Sequence, residues 1–284
     1  MNVELRHLRA LKAIGDEGTI TGAADVLHVS QPALSRTLNQ LEARLGTNLV
    51  ERTTRQLALT EAGRRLHEHA HRILNQLDDA LAEATAGPRP LRIGFAWASL
   101  GRDTVPLLRA WRADHPGTPV RMHRRDDPES ALRKGEIDVA FLRTEPAAPL
   151  RNRPLHEERR LAAVPEHDPL ADRDALLLAD LAERPVVLCA TASTTGAELW
   201  PAARRPRTFE VANVDEWLTT IATGDAVGVT AEATAHSHPH PGVRYLPISD
   251  APPLTVHLVW PPTPTHPSTD AFRAFVARQR PQAG

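Results

Sequence analysis

Proline is distributed unevenly along this chain. Of 25 prolines, one, Pro32, falls within the first 87 residues, and the other 24 lie from Pro88 onward. A proline inside a helix removes a backbone donor and clashes with the preceding turn. The first 87 residues can therefore be almost wholly helical, and the remainder cannot. Gly87-Pro88-Arg89-Pro90 marks the change and reads as a hinge. A length of 284 residues gives room for two or three compact units.

Within the proline-poor part, Leu5, Leu8, Leu11 and Ile14 recur at helical spacing, and Gly15 to Gly18 end that run. Thr19 or Thr21 caps a second short helix through Ala23, Ala24 and Leu27. His28-Val29-Ser30 is a tight connection. Ser30 is a good cap for a third helix, with Pro32 in its first turn, where the missing N–H costs nothing. Leu34, Leu38, Leu41 and Leu45 line one face of this helix, and Gly46 stops it. Residues 48–59 fit a small two-stranded wing with Arg52 and Arg55 near its tip. Two short helices, a tight turn and a third helix exposing Gln31, Ser35, Arg36, Asn39 and Gln40 make a helix-turn-helix whose free face carries hydrogen-bonders suited to bases and phosphates. Charge adds little: residues 1–60 hold seven Lys/Arg and six Asp/Glu, a net of +1, and the whole chain is at -1.

The run Thr21-Gly22-Ala23-Ala24, Leu27, Val29-Ser30-Gln31-Pro32-Ala33-Leu34-Ser35, Leu41-Glu42, Leu45-Gly46, Leu49, Arg52 and Leu59-Thr60-Glu61-Ala62-Gly63 resembles the N-terminal signature of the LysR-type transcriptional regulators. Val50 departs from it, since the family usually has phenylalanine there. A looser resemblance, Leu161-Ala-Ala-Val-Pro-Glu-His-Asp-Pro-Leu-Ala171, is similar to the family's crossover between sensor subdomains. The resemblance implies that Gln31, Pro32, Ser35 and Arg36 meet the major groove of double-stranded promoter DNA. It implies that Arg52 and Arg55 touch phosphate or the minor groove, and that Thr21 offers a hydroxyl and a helix N-terminus to phosphate. The implied architecture is an α+β multidomain chain. It comprises a winged helix-turn-helix over 1–60, a dimerising linker helix over 61–86, a hinge over 87–90, and a two-lobed α/β effector-binding domain of the periplasmic-binding-protein type over 91–284. Lobe I takes about 91–161 and 262–284, and lobe II about 162–261.

In the linker, Leu59, Gly63, Leu66, Ala70, Ile73, Leu77, Ala80 and Ala84 step by alternating fours and threes. This heptad seam is expected to close against a second copy. Dimer and tetramer both remain open, and RNA polymerase is a further partner in view. The same helix contains His67-Glu68-His69-Ala70-His71, a literal H-E-x-x-H. A zinc protease needs this spacing together with a pocket and a third ligand. On a solvated helix with no third ligand in view, the expectation is no metal site. His236-Ser-His-Pro-His240 is likewise read as an unstructured surface loop.

From Leu91 apolar runs alternate with helical stretches, as in an α/β fold. Ligands in such sheets sit at the carboxyl ends of strands. That rule selects the loops holding Ser99, Arg102, Arg143, Thr194, Thr195 and Asp215. Ser99 and the threonines would hydrogen-bond a small-molecule effector, and Arg102 with Arg143 would hold an anionic one. Cys189, the single cysteine, sits in the apolar run Val-Val-Leu-Cys-Ala and reads as a core thiol. No cofactor motif, nucleophile elbow or phosphate loop is present, so no catalytic residue is assigned. With no apolar stretch of membrane-spanning length and no secretory leader, the chain reads as cytoplasmic. The alternative is an enzyme or solute-binding protein carrying an N-terminal helical interaction module.

Overall fold

The computed structural model describes residues 3–52, 57–192 and 194–279. It divides into two compact units, one of residues 1–89 with 133–136 and one of 90–132 with 137–284.

The first unit contains α1 (Leu5–Glu17), α2 (Ile20–Val26) and α3 (Gln31–Leu45), then the short strands β1 (Val50–Arg52) and β2 (Leu57–Leu59), then the long α4 (Glu61–Ala86). The two strands pair antiparallel as a wing. Leu11, Ile14, Ala23, Leu34, Leu38, Leu41 and Leu49 form the buried centre of the helical head. Val50 joins this core at 6% exposure, so its side chain packs beneath the wing. Thr60 caps α4 by accepting from the Gly63 N–H at 2.9 Å, and its own hydroxyl donates to the Asn48 carbonyl at 2.9 Å. Gly63 lets α4 start against the chain entering the wing, since a Cβ there would stand 2.0 Å from the Leu49 carbonyl oxygen.

The second unit is built from β3 (Leu91–Phe95), α5 (Thr104–Asp114), β4 (Val120–Arg124), α6 (Pro128–Lys134), β5 (Val139–Leu142), β6 (Arg151–Glu158), β7 (Arg160–Pro165), α7 (Leu178–Leu181), β8 (Val186–Cys189), β9 (Thr208–Val211), α8 (Val214–Ala222), β10 (Gly228–Ala231), α9 (Glu232–Ser237), β11 (Val243–Pro247), β12 (Leu254–Trp260) and α10 (Thr269–Arg278). Lobe I is a five-stranded sheet in the order β4-β3-β5-β12-β6, with β3 parallel to β4 and β5. Lobe II holds the antiparallel sheet β10-β7-β11 and the parallel pair β8-β9. The chain leaves lobe I between β6 and β7 and returns between β11 and β12. The expected lobe boundary near residue 261 is therefore corrected: β12 pairs antiparallel with both β5 and β6 and belongs to lobe I. Strand β6 itself escaped the sequence reading, because Arg-Asn-Arg-Pro-Leu-His-Glu-Glu is a sheet-edge strand with little apolar alternation.

Candidate functional site

The exposed face of α3 starts from its cap. Ser30 accepts from the Ala33 N–H at 3.4 Å, and Pro32 lies in the first turn. Of the two threonines that could cap α2, Thr19 does so, accepting from the Gly22 N–H at 3.1 Å. Thr21 instead accepts from Gln31 Nε2 at 3.1 Å, so the starts of α2 and α3 are tied side chain to side chain. Gln31, Pro32, Arg36, Asn39 and Gln40 are exposed, Ser35 is half-buried, and Leu34, Leu38 and Leu41 fill the opposite face. Arg36 makes no ion pair among the described residues, which leaves its guanidinium available to an outside acceptor. Arg52 closes β1, and Arg55 lies outside the described residues. Glu42 is a residue whose job the sequence did not disclose: its Oε1 accepts from the N–H groups of Leu49 and Val50 at 2.7 and 3.2 Å. It pins the wing to α3, so the two are held as one piece.

The expectation of a solvated α4 is corrected in its first half. Gly63, His67, Ala70, His71 and Leu74 are its buried residues. His67 is 8% and His71 4% exposed. Their Nε2 atoms lie 2.9 and 2.8 Å from the same oxygen, Oδ1 of Asp16 on α1, while Lys12 Nζ reaches Oδ2 at 2.8 Å. Burial would raise the Asp16 pKa, but hydrogen bonds from His67, His71 and Lys12 hold it well below the usual carboxylate range. The third residue judged missing beside the two histidines is thus Asp16, more than fifty positions away in sequence. Glu68 and His69 are exposed on the other side of the helix from this cluster. Farther along α4, Ile73 at 47% and Leu81 at 60% exposure are left without apolar cover in the chain.

In the second unit a small cavity of about 10 Å³, room for about one water molecule, is lined by Trp97, Leu188, Cys189, Thr194, Thr195, Trp217 and Thr230. Trp97 comes from the loop after β3 and donates through Nε1 to Thr234 Oγ1 at 2.7 Å, with its ring edge-on to Trp217 at 6.0 Å. Thr234 Oγ1 is also 2.7 Å from Thr230 Oγ1, and Thr195 donates to the Val229 carbonyl at 3.0 Å. The Trp97 ring also meets His238 at 5.7 Å. The histidine-rich segment is therefore not an unstructured loop: α9 runs to Ser237, and burial lowers the His238 pKa.

Of the predicted effector residues, Thr194 and Thr195 line this cavity, and Ser99, Arg102, Arg143 and Asp215 do not. Arg143 is spent on Glu158, with Nε to Oε2 at 2.8 Å and Nη2 to Oε1 at 2.9 Å, and its Nη2 also donates to the Ser99 carbonyl at 2.6 Å. Arg102 shares Glu232 with Arg159, at 3.2 and 2.7 Å. The expected arginine pair for an anion is corrected for Arg143, which is buried and paired with Glu158, while exposed Arg102 shares the single carboxylate of Glu232 with Arg159. Asp215 is exposed in the first turn of α8, and Ser99 is 5% exposed, with a left-handed φ of 45° and no partner for its hydroxyl among the described residues. Arg160 donates to the carbonyls of Pro252 and Thr194, which ties one crossing strand to the other and to the cavity loop. Cys189 is 8% exposed, with Sγ 3.4 Å from the Thr191 hydroxyl.

Comparison with known proteins adds the family context. Residues 5–64 match the family described as bacterial regulatory helix-turn-helix protein, lysR family, and residues 85–281 match the LysR substrate binding domain. The uncharacterized HTH-type transcriptional regulator YnfL of Escherichia coli (strain K12) is 35% identical over 197 residues, 66% of this chain and 66% of its own. The aligned segments of the curated relatives span 66% or less of their lengths. Among solved structures, CbnR, a LysR family transcriptional regulator, superposes with a TM-score of 0.67 at 25% identity, covering 97% of this chain and 99% of that one. Full-length CbnR complexed with its target DNA superposes with a TM-score of 0.65 at 25% identity over the same shares.

Proposed function

The chain belongs to the LysR family of helix-turn-helix regulators, and from that membership we propose that it binds double-stranded promoter DNA and that a small molecule in its second unit modulates the outcome. The observation that carries the reading is the polar, exposed face of α3, where Gln31, Pro32 and Arg36 stand on a head whose wing Glu42 fixes in place. An α-helix fits the major groove, and an unpaired guanidinium there is the commonest reader of guanine. Ser35 and Thr21 flank that face, and Arg52 lies on the wing. CbnR in complex with its target DNA supports the same use of the matching fold.

The effector site in this reading is the cavity beside Trp97. Its walls are aromatic, aliphatic, thiol and hydroxyl, with Thr194, Thr195 and Thr230 as the hydrogen-bonding groups. The space between these walls is about 10 Å³, so an effector would enter only as they part. The apolar positions left open on α4, Ile73 and Leu81, support pairing with a second copy. The reading assigns a regulatory role in the cytoplasm and no catalytic step. No helix among the described residues is long and apolar enough to cross a membrane.

DNase footprinting with the intergenic DNA upstream of the coding region tests the proposal. The expected result is two protected, dyad-related half-sites about one or more helical turns apart. An unprotected region at protein concentrations that saturate non-specific DNA would contradict it.

A further inference from the structure

We propose that Asp16, His67 and His71 form a binding site for a divalent first-row transition ion of the zinc class, a clamp between the first helix of the head and the linker helix.

The site is assembled from two helices. His67 and His71 are one turn apart on α4, so both imidazoles project to the same side. Their ring centroids are 4.6 Å apart, with the planes at 84°. Asp16 projects from the last turn of α1, and one oxygen of it stands 2.9 and 2.8 Å from the two Nε2 atoms. The three donor atoms lie within 4.8 Å of one another. Two donors held about 2.1 Å from a tetrahedral zinc ion are about 3.4 Å apart. The two carboxylate–imidazole spacings therefore need to open by about 0.5 Å, and the two imidazole nitrogens, within 4.8 Å of each other, need to settle at the same separation, to admit the ion.

The surroundings fit a built site. The histidines are buried, whereas the Asp16 side chain is 27% exposed and leaves a side open for a water ligand. Gly15 makes room for the His67 ring, since a Cβ at that position would come within 2.4 Å of His67 Cδ2. Lys12, on the other carboxylate oxygen, orients Asp16 as an outer-sphere partner. Apolar residues would close α4 on α1 without the cost of burying imidazoles and a carboxylate, so the polar cluster gives the contact a chemistry that packing alone does not require.

Two imidazoles and one carboxylate select zinc, cobalt or nickel over magnesium and calcium, which prefer all-oxygen sites. In the metal-bound form Nε2 of each histidine turns from donor to ligand and the ring proton resides on Nδ1. Asp16 exchanges its two imidazole hydrogen bonds for the ion. The ion would fix the linker helix against the head.

The test uses the tag-free full chain, stripped with a chelator and titrated with zinc chloride and, in parallel, cobalt chloride. We expect one ion per chain, the visible absorption of four-coordinate cobalt, and a zinc-dependent rise in the melting temperature. His67→Gln, His71→Gln and Asp16→Asn should each weaken binding roughly a hundredfold or more, and His69→Ala, on the exposed side of the same helix, should bind as the parent does. Absence of stoichiometric binding or of the cobalt spectrum in the unsubstituted chain overturns the proposal, whatever the variants do to folding. So does binding that survives His67→Gln and His71→Gln, or binding lost instead in the His236→Ala, His240→Ala double variant.

Discussion

Arg143 and Glu158 meet as a two-point ion pair, 2.8 and 2.9 Å, with both side chains only 7% exposed. This pair sits at the end of β6, where the chain leaves lobe I, and it withdraws from ligand binding an arginine that the sequence offers as an anion holder. Burial would raise the Glu158 pKa, but His156, 3.6 Å away, and Arg143 outweigh it and hold the carboxyl below its ordinary value. A depressed folded-state value contributes stability that is present above the unfolded glutamate pKa of about 4.3 and is lost as pH falls through the folded value. Denaturant titrations at falling pH should show this loss in the parent and a flatter profile in Glu158→Gln. At neutral pH that substitution strands Arg143 and should cost about 3–5 kcal/mol.

Trp97 ties the loop after β3 to α9 through Thr234 at 2.7 Å and walls the cavity. Trp97→Phe keeps an aromatic ring and removes the donor. It should destabilise the second unit by about 1 kcal/mol, read from denaturant midpoints. Threonine 234 retains its bond to Thr230, which limits the loss.

Gly15→Ala should force the His67 ring aside, because the added carbon would stand 2.4 Å from His67 Cδ2. Overpacking of this kind costs about 1–3 kcal/mol, and calorimetry should place the loss in the melting of the first unit.

Ile73 and Leu81 are 47% and 60% exposed, so a charge there does not disturb the chain's own core. Ile73→Asp with Leu81→Asp should leave helicity intact and move the chain from dimer to monomer in sedimentation equilibrium. An unchanged association state would remove α4 from the interface.

The helical head was legible because its evidence is local. Capping by Ser30, the apolar row Leu34, Leu38 and Leu41, and the turn before them all fall within a few residues of one another. What was missed is long-range. Asp16 meets His71 across 55 positions, and helical period alone cannot say which face of α4 a head will cover, so the buried histidines read as solvated. The second crossing of the chain is not legible locally because β12 is apolar enough to suit either lobe, and only its pairing with β5 and β6 decides. The pairing of the effector arginines is hidden for the same reason, since Glu158 takes up Arg143 from 15 positions away and Glu232, 130 positions from Arg102, is shared by Arg102 and Arg159.

The α3 face is tested most directly by fluorescence anisotropy of the full chain on its upstream site and on a scrambled duplex, across a range of salt concentrations. The account predicts that Arg36→Ala costs about 1–3 kcal/mol on the upstream site, and that both it and Gln31→Ala narrow the gap between the two duplexes. Equal affinity of the parent for both duplexes, or substitutions that leave the gap unchanged, would contradict it.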